Sequence, residues 1–158
     1  MIRSLVLALT VVSAAAHAQS PDVEVRATID RLFDGMRAAD TTAMRATLHP
    51  TARLMTALDQ GGERSVAESP IAAFLAAVAG ASVTLDEQIS DTYPVLVDDG
   101  LAVAWTPYRF YAGGAFSHCG TNAFVLALGT DGWQIVHIMD TRRRACPGPE
   151  EPRPDAGD

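Results

Sequence analysis

Apolar residues recur at helical spacing from residue 20 onward and switch to alternation after Gly80, and this change of period organises the chain. Ser20-Pro21-Asp22 reads as a helix start: an N-cap residue, a proline in the first turn, and an acid where the dipole favours one. Val25, Ile29, Leu32, Phe33 and Met36 form an apolar stripe opposite Arg26, Asp30, Arg31 and Asp34, which predicts an amphipathic helix. Asp40 is placed to cap a second, short helix with Met44 and Leu48 on one side, ended by His49-Pro50. Arg53 to Leu58 reads as a short strand and Asp59 to Gly62 as a turn. Ser69-Pro70 then opens a third helix through Ile71, Phe74, Leu75 and Val78, stopped by Gly80. Past it, Ser82–Ser90, Tyr93–Val97, Leu101–Tyr111, Ala115–Leu128 and Trp133–Asp140 are rich in Val, Ile, Thr and aromatics. Asp99-Gly100, Gly113-Gly114 and Asp131-Gly132 separate them, the dipeptides that tight hairpins prefer. Helices first and an antiparallel meander afterwards predict an α+β domain.

Both ends lie outside that pattern. Met1-Ile2-Arg3, the apolar run Leu5 to Val12 and Ala16-His17-Ala18 have the three-part layout of a secretory signal peptide, expected to span 1–18. The run is shorter than the roughly 20 apolar residues of a membrane span, so the expected product is exported, periplasmic or secreted, with no membrane partner. After Cys146 the chain is acidic, carries four prolines and lacks large apolar residues, which predicts a flexible tail over 147–158 and leaves 19–146 as the folded domain.

Composition narrows the classes further. The formal charge of the 158 residues is −7, and all 12 basic residues are arginine, which disfavours a nucleic-acid partner. Export would pair the two cysteines, Cys119 with Cys146, the alternative being a free, pocket-lining thiol at Cys119. Nothing matches a phosphate loop, a dinucleotide fingerprint or a nucleophile elbow, so no cofactor is expected. His118 and His137 fall on the order of 20 Å apart along the expected sheet, which predicts no metal site.

Two-residue hairpin loops at Asp99-Gly100 and Gly113-Gly114, with a longer last loop, give a register. Tyr93, Thr106, Thr121 and Asp140 then form a transverse row, followed by Asp91, Tyr108, Cys119 and Arg142. The same face would carry Phe110, Val125, Val136 and Ile138. Trp105, His118, Asn122, Phe124, Trp133, Ile135, His137 and Met139 would lie on the other, aromatic-rich face, which predicts a homodimer contact there, the alternative being that these aromatics form the core and the two faces are exchanged. An apolar concavity with a few converging polar groups is the usual form of a small-molecule site.

Phe33-Asp34-Gly35-Met36 with Asp40, and Asp131 to Val136 near the end, resemble the nuclear transport factor 2-like superfamily over roughly 22–143. Trp105 to Tyr111, Phe116 to Gly120 and Asp140 to Arg143 look like its SnoaL-like and lumazine-binding branches. The resemblance implies a cone: a curved antiparallel sheet wrapped around a long N-terminal helix. It also implies that Asp140 stands where SnoaL-like relatives place an acid that transfers protons, although no histidine stands beside Asp140 as a partner. The expected function is an exported module that binds a small, largely apolar or aromatic molecule among Tyr93, Thr106, Tyr108, Phe110, Thr121 and Asp140. Two alternatives stay open: an isomerase, dehydratase or cyclase with Asp140 as general acid or base, and a dimeric interaction protein.

Overall fold

Ser20 and Pro21 start the first helix as expected, although the Ser20 cap works through its carbonyl, which accepts from the amides of Val23 and Glu24, and not through its hydroxyl. The computed structural model describes residues 20–146; the expected signal segment and the tail at 147–158 lie outside them. In chain order the elements are α1 (Pro21–Arg37), α2 (Thr41–Thr47), β1 (Leu48–Gln60), β2 (Glu63–Ser69), α3 (Ile71–Ala79), β3 (Leu85–Ile89), β4 (Val95–Asp98), β5 (Leu101–Ala112), β6 (Ala115–Gly129) and β7 (Gly132–Thr141). No helix among the described residues is long and apolar enough to cross a membrane.

The strands make one seven-stranded sheet in the order β2-β1-β7-β6-β5-β3, with β4 beside β3 on β5. All pairs run antiparallel except β1 with β7, which is parallel. β1 is longer than the short strand expected, because Leu48 to Ala57 find partners on the distant β7. β2, not expected from the pattern, pairs with β1 across Gly61-Gly62 and is exposed throughout. Pro107 interrupts the edge of β5 where a proline costs least: β3 ends and β4 begins there, and the Ser90 amide donates to the Pro107 carbonyl across the gap.

The stripe of α1 lies on the concave face. Val25, Ile29, Leu32, Phe33 and Met36 are buried, each removal from water contributing roughly 1.5–3 kcal/mol, and Phe33 meets Phe124 edge to face at 6.0 Å. Arg26 ties α1 to the sheet: its guanidinium lies 4.3 Å from the Tyr93 ring centroid and donates to the Tyr93 carbonyl. α1 ends in a Schellman turn, with the Asp40 amide bonded to the Gly35 carbonyl and that of Ala39 to Met36. Ala39 holds the left-handed position, φ 53°, without being glycine. The Asp40 carboxylate then caps α2 by accepting from the Thr42 and Ala43 amides, as expected.

Near all three hairpin turns the expected register holds: Val95 faces Ala104, Ala112 faces Ala115 and Leu128 faces Trp133. Two β-bulges then overturn the face assignment farther along. β6 gains one residue at Ser117, between the pairs Phe110–His118 and Tyr111–Phe116. β7 gains one at Val136, between Leu126–Ile135 and Val125–His137. A one-residue slip sends every later side chain to the other face. Asn122, Phe124, Trp133 and Ile135, expected outside, are therefore buried on the concave side, while Thr121, Val125 and Cys119 face outward. Ile138 and Asp140, beyond the second bulge, point inward as expected, because a bulge in each of two successive strands restores the parity.

Cys119 and Cys146 form the expected disulfide, with α-carbons 6.0 Å apart. It sits on the outer face, so the alternative of a pocket-lining thiol falls. A disulfide is the mark of an oxidising compartment. Cys119 pairs with Arg143 rather than with Arg142, a displacement of one residue that follows from the same bulges.

Candidate functional site

The concave face is apolar in one transverse row and polar in the next. Val95, Ala104, Phe124, Ile138 and Leu54 are aligned across five strands. One step along, the aligned residues are Thr106, Asn122, Asp140 and Thr56, exposed by only 0%, 4%, 5% and 8%. Four adjacent buried polar side chains are costly unless they bond to something, so their partners define what the site can do.

Asn122 is the centre of one half. Its amide nitrogen donates to Glu87 Oε1 at 2.7 Å and to Thr106 Oγ1 at 3.2 Å. Glu87 comes from β3, where Leu85, Glu87 and Ile89 share the inward parity. The residue keeps some exposure, but its carboxyl group is withdrawn from water. That desolvation, reinforced by the charge of Asp140 and opposed by the Asn122 hydrogen bond and Arg142, pushes its pKa up to about 7.

Asp140 is the centre of the other half. Its Oδ2 accepts from Arg142 Nε at 2.7 Å, and the Tyr108 hydroxyl stands 3.3 Å away. Tyr108 gives the shorter bond, 2.9 Å, to the Thr141 carbonyl, and burial together with Glu87 and Asp140 raises its pKa. Oδ1 of Asp140 is buried with no hydrogen-bond partner among the described residues. Gly120 makes room for this arrangement: a β-carbon there would run into the Thr141 carbonyl oxygen and stand 2.7 Å from the Tyr108 ring. His118 closes the rim, stacked on Phe110 at 5.0 Å and edge-on to Tyr108, with its pKa lowered by desolvation and by Arg142.

Of the residues singled out from the sequence, Thr106, Tyr108, Phe110 and Asp140 come together on one face. Tyr93 is buried against Arg26 of α1. Thr121 is corrected: the Ser117 bulge turns it outward and puts Asn122 opposite Thr106 in its place, and the Val136 bulge brings Asn122 opposite Asp140. Glu87, Asn122 and His118 were missed. Glu87 carried a signal, an acid between two apolar residues of the same parity; the other two required the bulge. A separate cleft of about 270 Å³ opens between the end of α1, α3 and the start of β3, lined among others by Met36, Arg37, Val78, Val83 and Leu85. It lies at the Leu85 end of β3 and contains none of the polar row. Among the described residues, no group of three or more His, Cys, Asp or Glu could hold a metal ion.

No protein-family model matches the chain. No curated protein matches its sequence either. Solved structures do match its shape. An NTF2-like protein from Cytophaga hutchinsonii superimposes with a TM-score of 0.64 at 13% identity, covering 79% of this chain and all (100%) of that one. A nuclear transport factor 2-like superfamily protein from Salmonella enterica gives 0.61 at 21% identity over 83% and 96%. An NTF2-like protein with a cystatin-like fold from Novosphingobium aromaticivorans gives 0.61 at 17% over 77% and 81%. Three helices on the concave face of one curved sheet, together with these superpositions, establish that the chain has the nuclear transport factor 2-like, cystatin-like fold.

Proposed function

We propose that the protein is an exported binding module for a small, largely apolar or aromatic molecule, held on the concave face with its polar end at the Thr106–Asn122–Asp140 row. The observation that carries this reading is the unpartnered, buried Oδ1 of Asp140 within an otherwise bonded polar cluster beside an apolar row. The export sequence at 1–18 and the disulfide support an extracytoplasmic setting. Native mass spectrometry of protein purified from its own source tests it. A small non-covalent mass that leaves on denaturation is expected, and ligand-free protein from every growth condition would count against it.

One observation favours a second reading, an isomerase, dehydratase or cyclase. Glu87 supplies the partner that Asp140 lacked in sequence, so two carboxyl groups stand in unlike environments, one of them titrating near neutrality. Turnover that Glu87→Gln and Asp140→Asn each abolish would establish it.

A second copy of the chain is the proposed partner of the outer face. Leu96, Leu101, Val103 and Trp105 are exposed there on neighbouring strands, a patch that suits a self-complementary contact. Phe124 and Trp133, expected in that contact, belong to the core instead. Trp105→Glu should convert a dimer to monomer in light scattering; a wild type that is monomeric at high micromolar concentration removes the proposal.

A further inference from the structure

Among the described residues, the hydrogen bonds made around Asp140 leave one of its oxygens without a partner. Arg142 Nε serves Oδ2. The single hydroxyl hydrogen of Tyr108 goes to the Thr141 carbonyl at 2.9 Å, and the Asn122 amide is shared between Glu87 and Thr106. Thr56, directly across on β1, makes no bond to Asp140. Oδ1 is left as an acceptor on a side chain only 7% exposed. Leaving such an acceptor unpaired costs the full desolvation of the group, so a donor from outside the described residues, a ligand group or a water it displaces, completes the site.

We infer that the ligand is an uncharged ring compound that presents one hydrogen-bond donor, an N–H or a hydroxyl, to Oδ1 of Asp140. The inference rests on the small-molecule reading above and names the chemistry of that molecule. Charge excludes the alternatives. Arg142 already balances the Asp140 carboxylate at 2.7 Å, and burial keeps Glu87 protonated below about pH 7, so there the site has no net demand for a cation. An anion would bring a second negative charge against Oδ1 with no donor to offset it. The ring follows from the rim: Phe110 and His118 stack at 5.0 Å and are only half-buried, an aromatic edge beside the carboxylate against which a further ring can pack. Arg142, bonded to the same carboxylate, keeps its side chain half exposed at 50%, which marks the solvent-facing edge of the row.

Indole and N-methylindole test this as a pair, because they share one flat ring system and differ by a methyl group in place of the donor hydrogen. Each is titrated into isotopically labelled wild-type protein and followed by amide chemical shifts. Indole is expected to bind at least about tenfold more tightly than N-methylindole, the factor typical of a hydrogen bond to a charged group. Asp140→Asn, checked for folding by its dispersed spectrum, should bring the two affinities together by placing an amide where the carboxylate stood. Equal affinities in the wild type overturn the donor inference while the small-molecule reading survives. Shifts confined to residues away from Asn122, Phe110 and Thr141 overturn it as well. Absence of binding by either probe also overturns it, and the co-purified mass then decides the broader reading independently. The wild-type comparison stands even where the Asn variant fails to fold.

Discussion

Glu87 couples the stability of this fold to pH, and Glu87→Gln isolates the effect. The ordinary value of 4.5 is raised to about 7 in the folded protein by desolvation of the carboxyl group. Folding therefore favours the protonated form. The stability tied to this proton is fully present below about pH 4.5 and is lost as pH rises through about 7. At roughly 1.4 kcal/mol per unit, the interval corresponds to about 3 kcal/mol. Glutamine has the same shape, still accepts from Asn122, and does not titrate. The groups that act on Glu87 are Asn122, Asp140 on β7, Arg142 just past its end and Tyr108 on β5; they remain in both proteins, so their contributions largely cancel in the difference. Urea unfolding followed by tryptophan fluorescence from pH 5 to 8 should show the variant gaining about 2–3 kcal/mol on the wild type as pH rises. A difference that stays flat across this range would show that the carboxyl group is solvated, and the buried-acid account of the site would fail with it.

Three other perturbations test the framework around the site. Gly120→Ala should destabilise the protein by about 1–3 kcal/mol and perturb the Tyr108 ring signals, because the added methyl has backbone on one side and the ring on the other; unchanged stability and unchanged Tyr108 signals would refute that packing. Cys146→Ser opens a bridge spanning a sequence separation of 27 and should cost about 3–4 kcal/mol in non-reducing urea unfolding. Thiol titration of the denatured, unreduced wild type should find no reactive thiol. Ala39→Gly relieves a left-handed alanine and should raise stability by about 0.5–1 kcal/mol in the same unfolding assay, whereas a loss would show that the Schellman turn carries no strain.

Much of this fold is local, and what is local was legible. The α1 stripe follows from 3.6-residue spacing, and the Asp40 cap from a carboxylate at a helix start. Each hairpin register near its turn follows from loop length, since a two-residue loop leaves adjacent residues one pairing. Asp140 was placed on the correct face, but for a reason the turns do not contain: its inward direction depends on the second bulge restoring what the first reversed. The Cys119–Cys146 pair followed from counting thiols, whereas its place on the outer face did not.

The polar row belongs to the tertiary structure. Nothing between Gly113-Gly114 and Asn122 announces that Ser117 adds a residue, because a bulge is stabilised by what its strand meets on either side. That one residue exchanges Thr121 for Asn122 and moves Phe124 from a supposed contact surface into the core beside Phe33. The parallel pairing of β1 with β7 joins residues far apart in sequence, so neither turn chemistry nor periodicity could report it. Glu87 shows the division most clearly. Alternation alone could aim its side chain inward. Its elevated pKa is created by the loss of water around the carboxyl and by Asp140 on β7, three strands across the sheet, and both exist only once the sheet has closed around them.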